Sequence, residues 1–562
     1  MGSSGAGKTT FLNAICDRLA SGGELALEGS CQLADVVYER RFRKALGFVP
    51  QDDVLSAMDT PYDALRFSLR TRRGVDAAEA DARVREMLSL LKLQGCQETL
   101  VGTPGLTGGL SGGERKRCSI GVELVCDPKV LLLDEPTSGL DSVTAAMLIR
   151  QLRELARGGR TIIYTIHQPT AEVLASFDDL MLLTGGRCAY HGAMADSLAY
   201  FESIGFPCPE RYTAGDYFMM LLQDEQTSRV LVERWEQHLQ TNKRTPHTTS
   251  IRLAEDPEES HTTIFLNSYI QKFGSSTVIQ LREVFLRRVH ELARDRMFIF
   301  SLAGQELFFS LIVGLIYIRI GMDIASIQDR AGLLFMVTLN RVFSASYTVL
   351  NTFHKVRPVF MREQNAGAYS PLVYFVGTMT AQFPPMIFFF FLECLIIYFM
   401  TGLYASAGAF FLYFLIIGIV QEVGVGIGFL LSACFESITL ATGLASLVTI
   451  PLSLAGGLLA STDRLRPYWY FLEKPSFIRH GFILLMRNEF NRLDHIDCDI
   501  HKYGAEVCRN QAKNGKEVLM RMGIDSDPQS KSVYMWISLI GIWCLIRVFC
   551  IIALNVVSRK KM

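Results

Sequence analysis

The chain has 562 residues, 49% of them hydrophobic, which is too long for a single domain. Lysine plus arginine and aspartate plus glutamate number 56 each, so bulk charge carries no nucleic-acid footprint and no nucleic-acid partner is expected. The cysteines of the first half lack metal-ligand spacing and read as reduced and structural, which excludes a disulfide-framed small fold. Residues 1–290 read as a soluble protein, and long apolar runs fill the remainder.

Gly2 to Thr9 read GSSGAGKT, the phosphate-loop pattern G-x-x-x-x-G-K-[ST]. Its glycines allow the tight turn that aims backbone N–H groups at phosphate oxygens. Lys8 reaches the β- and γ-phosphates, and the Thr9 hydroxyl holds Mg²⁺. Gly2, Ser3, Ser4, Gly5, Ala6, Gly7, Lys8, Thr9 and Thr10 are the expected ATP-contacting set. Residues 9–20 carry apolar positions at helical spacing, and the positive end of such a helix adds to an anion site.

The run ALGFVPQDDVL reads as a short strand ending at Gln51, which is placed to touch Mg²⁺ and an attacking water; alone it is equally an ordinary loop glutamine. In GLSGGERKRCSIGVEL, Ser111, Gly112 and Gly113 form a second phosphate-seeking turn at a helix start. One nucleotide does not need two such loops in one chain. KVLLLDEPTSGLDS is an apolar strand, buried on both faces of a parallel sheet, that ends in Asp134 and Glu135. Asp134 is expected in the Mg²⁺ shell, and Glu135 is expected to polarise a water for in-line attack on the γ-phosphate. TIIYTIHQP reads as another buried strand, ending in His167. A lone histidine there is often structural; its place behind the Asp–Glu pair points to the γ-phosphate.

The phosphate loop, Gln51, LSGGE, LLLDEP and His167 together resemble an ABC-transporter nucleotide-binding domain. SGGERKRCSIGVEL and LDEPTSGLDS, ahead of a single membrane domain, resemble the ABCG (White, eye-pigment) subfamily over nearly the whole chain. The resemblance implies two nucleotide-binding domains paired head to tail, with ATP between the Lys8 loop of one and the Ser111 turn of the other. The chain is then half a transporter whose partner is a second half-transporter, identical or different. The resemblance also implies strands and an adenine-stacking aromatic ahead of Gly2, so truncation at the N-terminus is expected.

Residues 223–276 read as a polar linker. Residues 277–296 read as a basic amphipathic helix on the membrane surface, with Val278, Leu281, Phe285, Val289 and Leu292 along one side; in the family a connecting helix sits here. Six spans are expected at about 298–320, 331–353, 372–401, 407–432, 437–460 and 533–557, each able to cross ~30 Å of hydrocarbon. The even number and the basic tail put both ends in the cytosol. The family has a short coupling helix at 354–370, where Arg357 and Glu363 are either contact residues or a solvated juxtamembrane face.

Residues 461–532 are expected outside the cell. Cys498 and Cys508 are their only cysteines and face an oxidising side, which favours an intrachain bridge over free thiols or an interchain bond. Glu306, Asn340, Arg341, Glu393, Gln421, Glu422 and Arg547 lie at membrane depth; Glu393, Gln421 and Glu422 read as interhelical partners, with a proton pathway as the alternative. By the resemblance, Phe343 lines a central cavity with Asn340 one turn away, Ile450 and Ser453 are further walls, and Leu458 and Leu459 plug the cavity outward; ordinary helix packing is the alternative for each.

The fold expected is an α/β P-loop ABC ATPase domain (1–222), a linker (223–276), a connecting helix (277–296) and an all-α six-helix transmembrane domain (297–562). The function implied is ATP-driven export of an amphipathic or lipid-like substrate across a lipid bilayer, with ATP and Mg²⁺ as cofactors. The nucleotide domain is expected in the cytosol, with the plasma membrane favoured over an internal membrane. A catalytically poor partner subunit of a heterodimer is the alternative.

Overall fold

In the computed structural model the described residues are 1–16, 18, 32–33, 36–37, 45–103, 108–167, 169–241, 274–458, 470–498, 501, 508, 511–524 and 529–559, the backbone alone for a few of them. They fall into two units: Met1–Arg287 with Met361–Val373, and Arg288–Phe360 with Tyr374–Arg559.

The first unit is built on parallel strands. After helix α1 (Lys8–Ile15) and the short antiparallel pair β1 (Gln32–Leu33) and β2 (Val36–Val37), strand β3 (Leu46–Val49) pairs in parallel with β4 (Val130–Leu133). Strand β4 pairs in turn with β5 (Thr161–Tyr164). Every residue of β4 is buried, as the run Val-Leu-Leu-Leu requires. Strand β5 differs from the fully buried strand expected: it ends the three-stranded order, and Ile163 is 37% exposed. The phosphate loop joins the fold through Gly2, which bridges in parallel to Leu183 of β6 (Asp179–Thr184). Strand β6 forms a hairpin with β7 (Arg187–Ala193) across Gly185 and Gly186, both at positive φ as a primed turn demands.

Four helices cover this sheet region between β3 and β5. Helix α2 (Pro61–Arg73) starts with a Thr60–Asp63 capping box and Pro61, and ends at left-handed Gly74. Helices α3 (Ala77–Leu90), α4 (Gly112–Leu124) and α5 (Ser142–Arg157) follow, α5 burying Leu148, Ile149, Leu152 and Leu155. The short α6 (Ala171–Leu174), α7 (Met194–Ser203) and α8 (Ala214–Gln223) complete it. The linker begins later than residue 223: α9 (Glu225–Thr241) buries Leu231, Val232 and Trp235 in the core, with Trp235 against Tyr190 and Tyr200. Few apolar residues per turn hid this helix, but one tryptophan anchors it. The rest of the expected linker lies outside the described residues up to Gly274.

Helix α10 (Thr277–Arg294) has the predicted length, and it packs inward mainly by the face opposite its apolar stripe. Gln280, Glu283 and Val284 are buried, while Val278, Leu281 and Val289 are exposed. Glu283 bonds Arg70 at 2.7 Å, and Arg287 pairs with Asp59 at 2.8 Å and Glu363 at 2.6 Å. Ion pairs set this docking; of the apolar stripe Val278, Leu281 and Val289 stay outside, Phe285 is half-buried and Leu292 is buried.

The second unit is helical. Among the described residues, five helices are long and apolar enough to cross a membrane: α11 (Arg296–Ile316), α12 (Ile324–Asn365), α13 (Pro371–Thr401), α14 (Ala407–Cys434) and the Ser532–Ser558 stretch of the last helix (Gln529–Arg559). The expected fifth span is a shorter apolar helix, α15 (Ile438–Leu454), with Pro451 near its end. The segment expected as a separate coupling helix is continuous with α12, which runs through Pro358 to Asn365 and stops ahead of left-handed Gly367. Short helices α16 (Tyr470–Glu473), α17 (Phe477–Phe490) and α18 (Gly515–Arg521) precede α19, the Gln529–Arg559 helix. Helix α14 lies at the centre, with most of its residues buried. A Cβ on Gly424 would stand 2.9 Å from the Val342 carbonyl oxygen, and one on Gly428 would stand 2.3 Å from that of Ser346. Glycines four apart on α14 thus meet residues four apart on α12 at backbone contact.

Candidate nucleotide-hydrolysing site

The loop before α1 has the shape its residues suggest. Gly5 and Gly7 sit at φ 78° and 91°, in the left-handed region that glycine enters without steric cost. Ser4, Gly5, Thr9 and Thr10 are exposed, whereas Lys8 is buried. The Lys8 ammonium donates to the carbonyls of Gly2 at 2.9 Å and Ser3 at 3.0 Å, curling the loop around its own cation. It also lies 3.7 Å from Glu135 Oε1.

Strand β4 delivers the acidic pair. Asp134 is 2% exposed, and its Oδ1 accepts from the Thr165 hydroxyl at 2.6 Å. The Thr165 oxygen in turn accepts from the Glu135 backbone N–H at 2.8 Å. Glu135 stands at φ 44°, where a side-chain-bearing residue is strained by roughly 1–3 kcal/mol. Gln51 extends from the end of β3 and donates from Nε2 to Glu135 Oε2 at 3.1 Å. The structure therefore gathers Lys8, Gln51, Asp134 and Glu135. His167, three residues past β5, is half-buried and makes no described hydrogen bond or ion pair.

Two residues that sequence reasoning did not single out hold this arrangement. Thr165 joins Asp134 to the Glu135 backbone. Lys116, 2% exposed on α4, donates to the Gln51 carbonyl at 2.7 Å and pairs with Asp53 at 2.9 Å. Burial raises the Asp53 carboxyl, an effect that the Lys116 ammonium opposes. Lys116 lay inside the GERKR run, where one basic residue among three carries no visible distinction.

The second turn is separate and open. Ser111 caps α4: its Oγ donates to Glu114 Oε2 at 2.7 Å, and its N–H donates to the same oxygen at 2.9 Å. These bonds hold the Glu114 carboxyl below the usual carboxylate range. Ser111 and Gly112 are exposed, with Gly113 partly so. The oxygen donors Thr9, Gln51 and Asp134 suit a hard divalent cation, and the glycine loop with Lys8 suits a polyphosphate.

The second unit receives the remaining expected residues. Phe343 stacks on Tyr347 with ring centres 6.3 Å apart, and the Tyr347 hydroxyl meets Ser446 Oγ of α15 at 2.7 Å. Asn340 is partly exposed and Ile450 is 49% exposed. Ser453, in contrast, is 7% exposed and donates to the Ile450 carbonyl of its own helix, so it faces inward. Leu458 packs on the unit's core, and Leu459 lies outside the described residues. Cys498 and Cys508 are joined in a disulfide with Cα atoms 5.7 Å apart. Glu363, which belongs to the first unit, accepts from Tyr369 at 2.6 Å besides its pair with Arg287, while Arg357 of the second unit reaches Glu436 at 3.5 Å.

A glycine-rich phosphate loop, an Asp–Glu pair on a buried parallel strand and an exposed SGG turn, followed by membrane-crossing helices, define an ATP-hydrolysing membrane transporter. Residues 1–138 match the ABC transporter family, 279–490 match the ABC-2 type transporter family, and 167–242 match a second family of that description. The chain is 30% identical to Protein white of Drosophila melanogaster over 87% of its length and 72% of that protein's. It is 29% identical to the broad substrate specificity ATP-binding cassette transporter ABCG2 of Mus musculus, over 100% of its own length and 88% of that protein's. It is 31% identical to ABC transporter G family member 22 of Arabidopsis thaliana, over 87% and 68%. The chain belongs to the ABCG (White) subfamily of ABC transporters and is a half-transporter.

Proposed function

We propose that two such chains, or this chain and a related half-transporter, pair head to tail and export an amphipathic or lipid-like molecule at the cost of ATP. The observation that carries this reading is the incompleteness of one chain. Its Lys8 loop and acidic pair form one side of a nucleotide site, and its Ser111 turn stands exposed with no second phosphate loop in the chain to serve.

Within each site Lys8 and Gly2–Thr10 hold the phosphates, while Thr9, Gln51 and Asp134 hold Mg²⁺. Glu135 takes the proton of the attacking water, and Gln51, already bonded to it, fixes its carboxylate. His167 follows β5 and is assigned to the γ-phosphate by its order in the chain. Thr165 links Asp134 to the Glu135 backbone through its hydroxyl.

The surface carrying Asn340, Phe343 and Ile450 is the proposed substrate wall, since a flat aromatic and an exposed aliphatic suit an amphipathic guest. The printed name of the mouse relative, a transporter of broad substrate specificity, supports such a guest. The plasma membrane is the proposed location.

Glu135→Gln tests the assignment. General-base removal should lower ATP turnover by roughly 10²–10⁴-fold while nucleotide binding is retained. Unchanged turnover in the purified variant would remove Glu135 from catalysis. ATPase activity of the purified wild-type chain alone separates an active homodimer from a poorly active member of a heterodimer.

A further inference from the structure

The second unit carries an open cleft of about 610 Å³ that shares no residue with the nucleotide site or the proposed substrate wall. Small-ligand sites fall in the range of roughly 300–1,000 Å³. Its walls come from three stretches: Leu292 and Ala293 at the end of α10, Ile299 and Phe300 in the first turns of α11, and Pro384 and Pro385 of α13. Of the described residues that line it, only Arg296 is charged.

The room has a cause in the sequence. Ala293, Ala381 and the two prolines have short side chains. The prolines also lack the N–H that would bond the carbonyls of Thr380 and Ala381, so this turn of α13 is not closed by its own backbone. Phe300 is 73% exposed at the rim. Helices α11 and α13 are both apolar enough to cross a membrane, so hydrocarbon surrounds this surface. A cleft left vacant there would forfeit the dispersion contacts of its lining, and a lipid chain restores them.

Arg296 gives the occupant a second property. It is the first residue of α11, is exposed, and makes no hydrogen bond or ion pair among the described residues. Arg288, by comparison, is held by Glu291 at 2.7 Å. A cation at a helix N-terminus opposes the helix dipole, so Arg296 gains nothing from α11 and gains from an anion placed beside it. ATP is a cytosolic nucleotide, so the boundary that α11 enters is the cytosolic leaflet, which carries the anionic phospholipids.

We propose that this cleft binds one anionic phospholipid of the cytosolic leaflet, a resident ligand distinct from the exported guest. An acyl chain lies along Ile299, Phe300 and Pro384, and the phosphate pairs with Arg296. A guanidinium can meet two phosphate oxygens at once, and its long stem reaches headgroup level while lying on apolar surface. The lipid braces α13 against the turn at Asp295, whose carboxylate caps α11 by accepting from the Phe298 N–H at 2.9 Å.

The sample is the purified full chain in phosphatidylcholine nanodiscs without nucleotide, so the outcome is independent of the export reading. The probe is phosphatidylserine with a photoreactive group on one acyl chain. Label should concentrate on the peptides of residues 289–300 and 381–385, and unlabelled phosphatidylserine should compete better than phosphatidylcholine. Arg296→Gln should lower that preference roughly fivefold, the effect of one basic residue beside anionic lipid, while the peptides are still labelled. Ala293→Trp, at an exposed position, fills the cleft and should remove most of the label whichever headgroup the probe carries. Wild-type melting temperatures in phosphatidylcholine nanodiscs check that both variants fold. Label spread evenly over the lipid-facing helices of the wild type overturns the proposal without recourse to either variant. A headgroup preference unchanged in Arg296→Gln does so too, since Arg296 is then an interfacial anchor only. Displacement of the probe by inorganic phosphate would mean that the site reads phosphate alone, and would remove the lipid.

Discussion

At the scale of single residues, the hydrolytic site depends on one threonine that no motif names. Thr165 donates to Asp134 and accepts from the Glu135 backbone, so Thr165→Val breaks two buried hydrogen bonds while keeping shape. Each is worth about 1 kcal/mol net, with a further penalty for the Asp134 oxygen left bare. The expected outcome is a kcat reduced roughly tenfold with KM for ATP little changed, read in a steady-state assay; wild-type kcat would show that Asp134 and Glu135 hold themselves. Nearby, Cys118 is buried on α4, and burial pushes its thiol up to about 12. It should resist alkylation at neutral pH in the folded chain and react once denaturant is added; labelling of the native protein at Cys118 would contradict its placement. The motif residues themselves were legible because a phosphate loop needs its glycines and lysine contiguous in sequence. Thr165 and Lys116 were not, because their partners arrive from other strands and loops, and only the folded sheet brings them together.

At the scale of elements, length and apolar periodicity gave most helices, while faces and ends depended on partners. Helix α10 shows why. Its apolar side was expected to face the membrane surface, and the opposite face is packed through Glu283 with Arg70, and Arg287 with Asp59 and Glu363. Buried charge left unpaired is more costly than apolar surface left outside, especially where lipid can receive that surface. Helix α12 ran beyond its expected span because it stays helical past Pro358 to Asn365; a hydropathy window sees only its apolar stretch. Helix α14 was located by hydropathy, but its glycine contacts were not anticipated. Gly428→Ala would drive a Cβ to 2.3 Å from the Ser346 carbonyl, and backbone cannot yield as a flexible side chain does. A loss of roughly 1–3 kcal/mol is expected, as for other overpacked interiors. Gly443→Ala, on α15 with open space around it, is the control and should leave the melting temperature unchanged or higher. Equal melting temperatures for the two variants would mean that α14 and α12 are not in backbone contact.

For the whole molecule, the decisive fact is what one chain has once. It carries one phosphate loop and one SGG turn, and the turn's hydroxyl caps α4. Phosphoryl transfer relies on positioning and electrostatics, so a site with donors on only one side of the nucleotide is a poor catalyst. In the proposed pair a second chain supplies the other side, each ATP adds its binding energy to the contact, and the pair should tighten when nucleotide is present. Cysteines placed as Ser4→Cys and Ser111→Cys on separate copies make this measurable. Both positions are exposed, so neither substitution disturbs a core. In membranes carrying both variants, disulfide or short-linker crosslinking between copies should appear with trapped ATP and fade without it. Glu135→Gln in the same background should increase the yield by holding ATP in place. Crosslinks that are absent under trapping conditions, or independent of nucleotide, would mean that the two loops never meet across a dimer, and the head-to-tail arrangement would have to be abandoned.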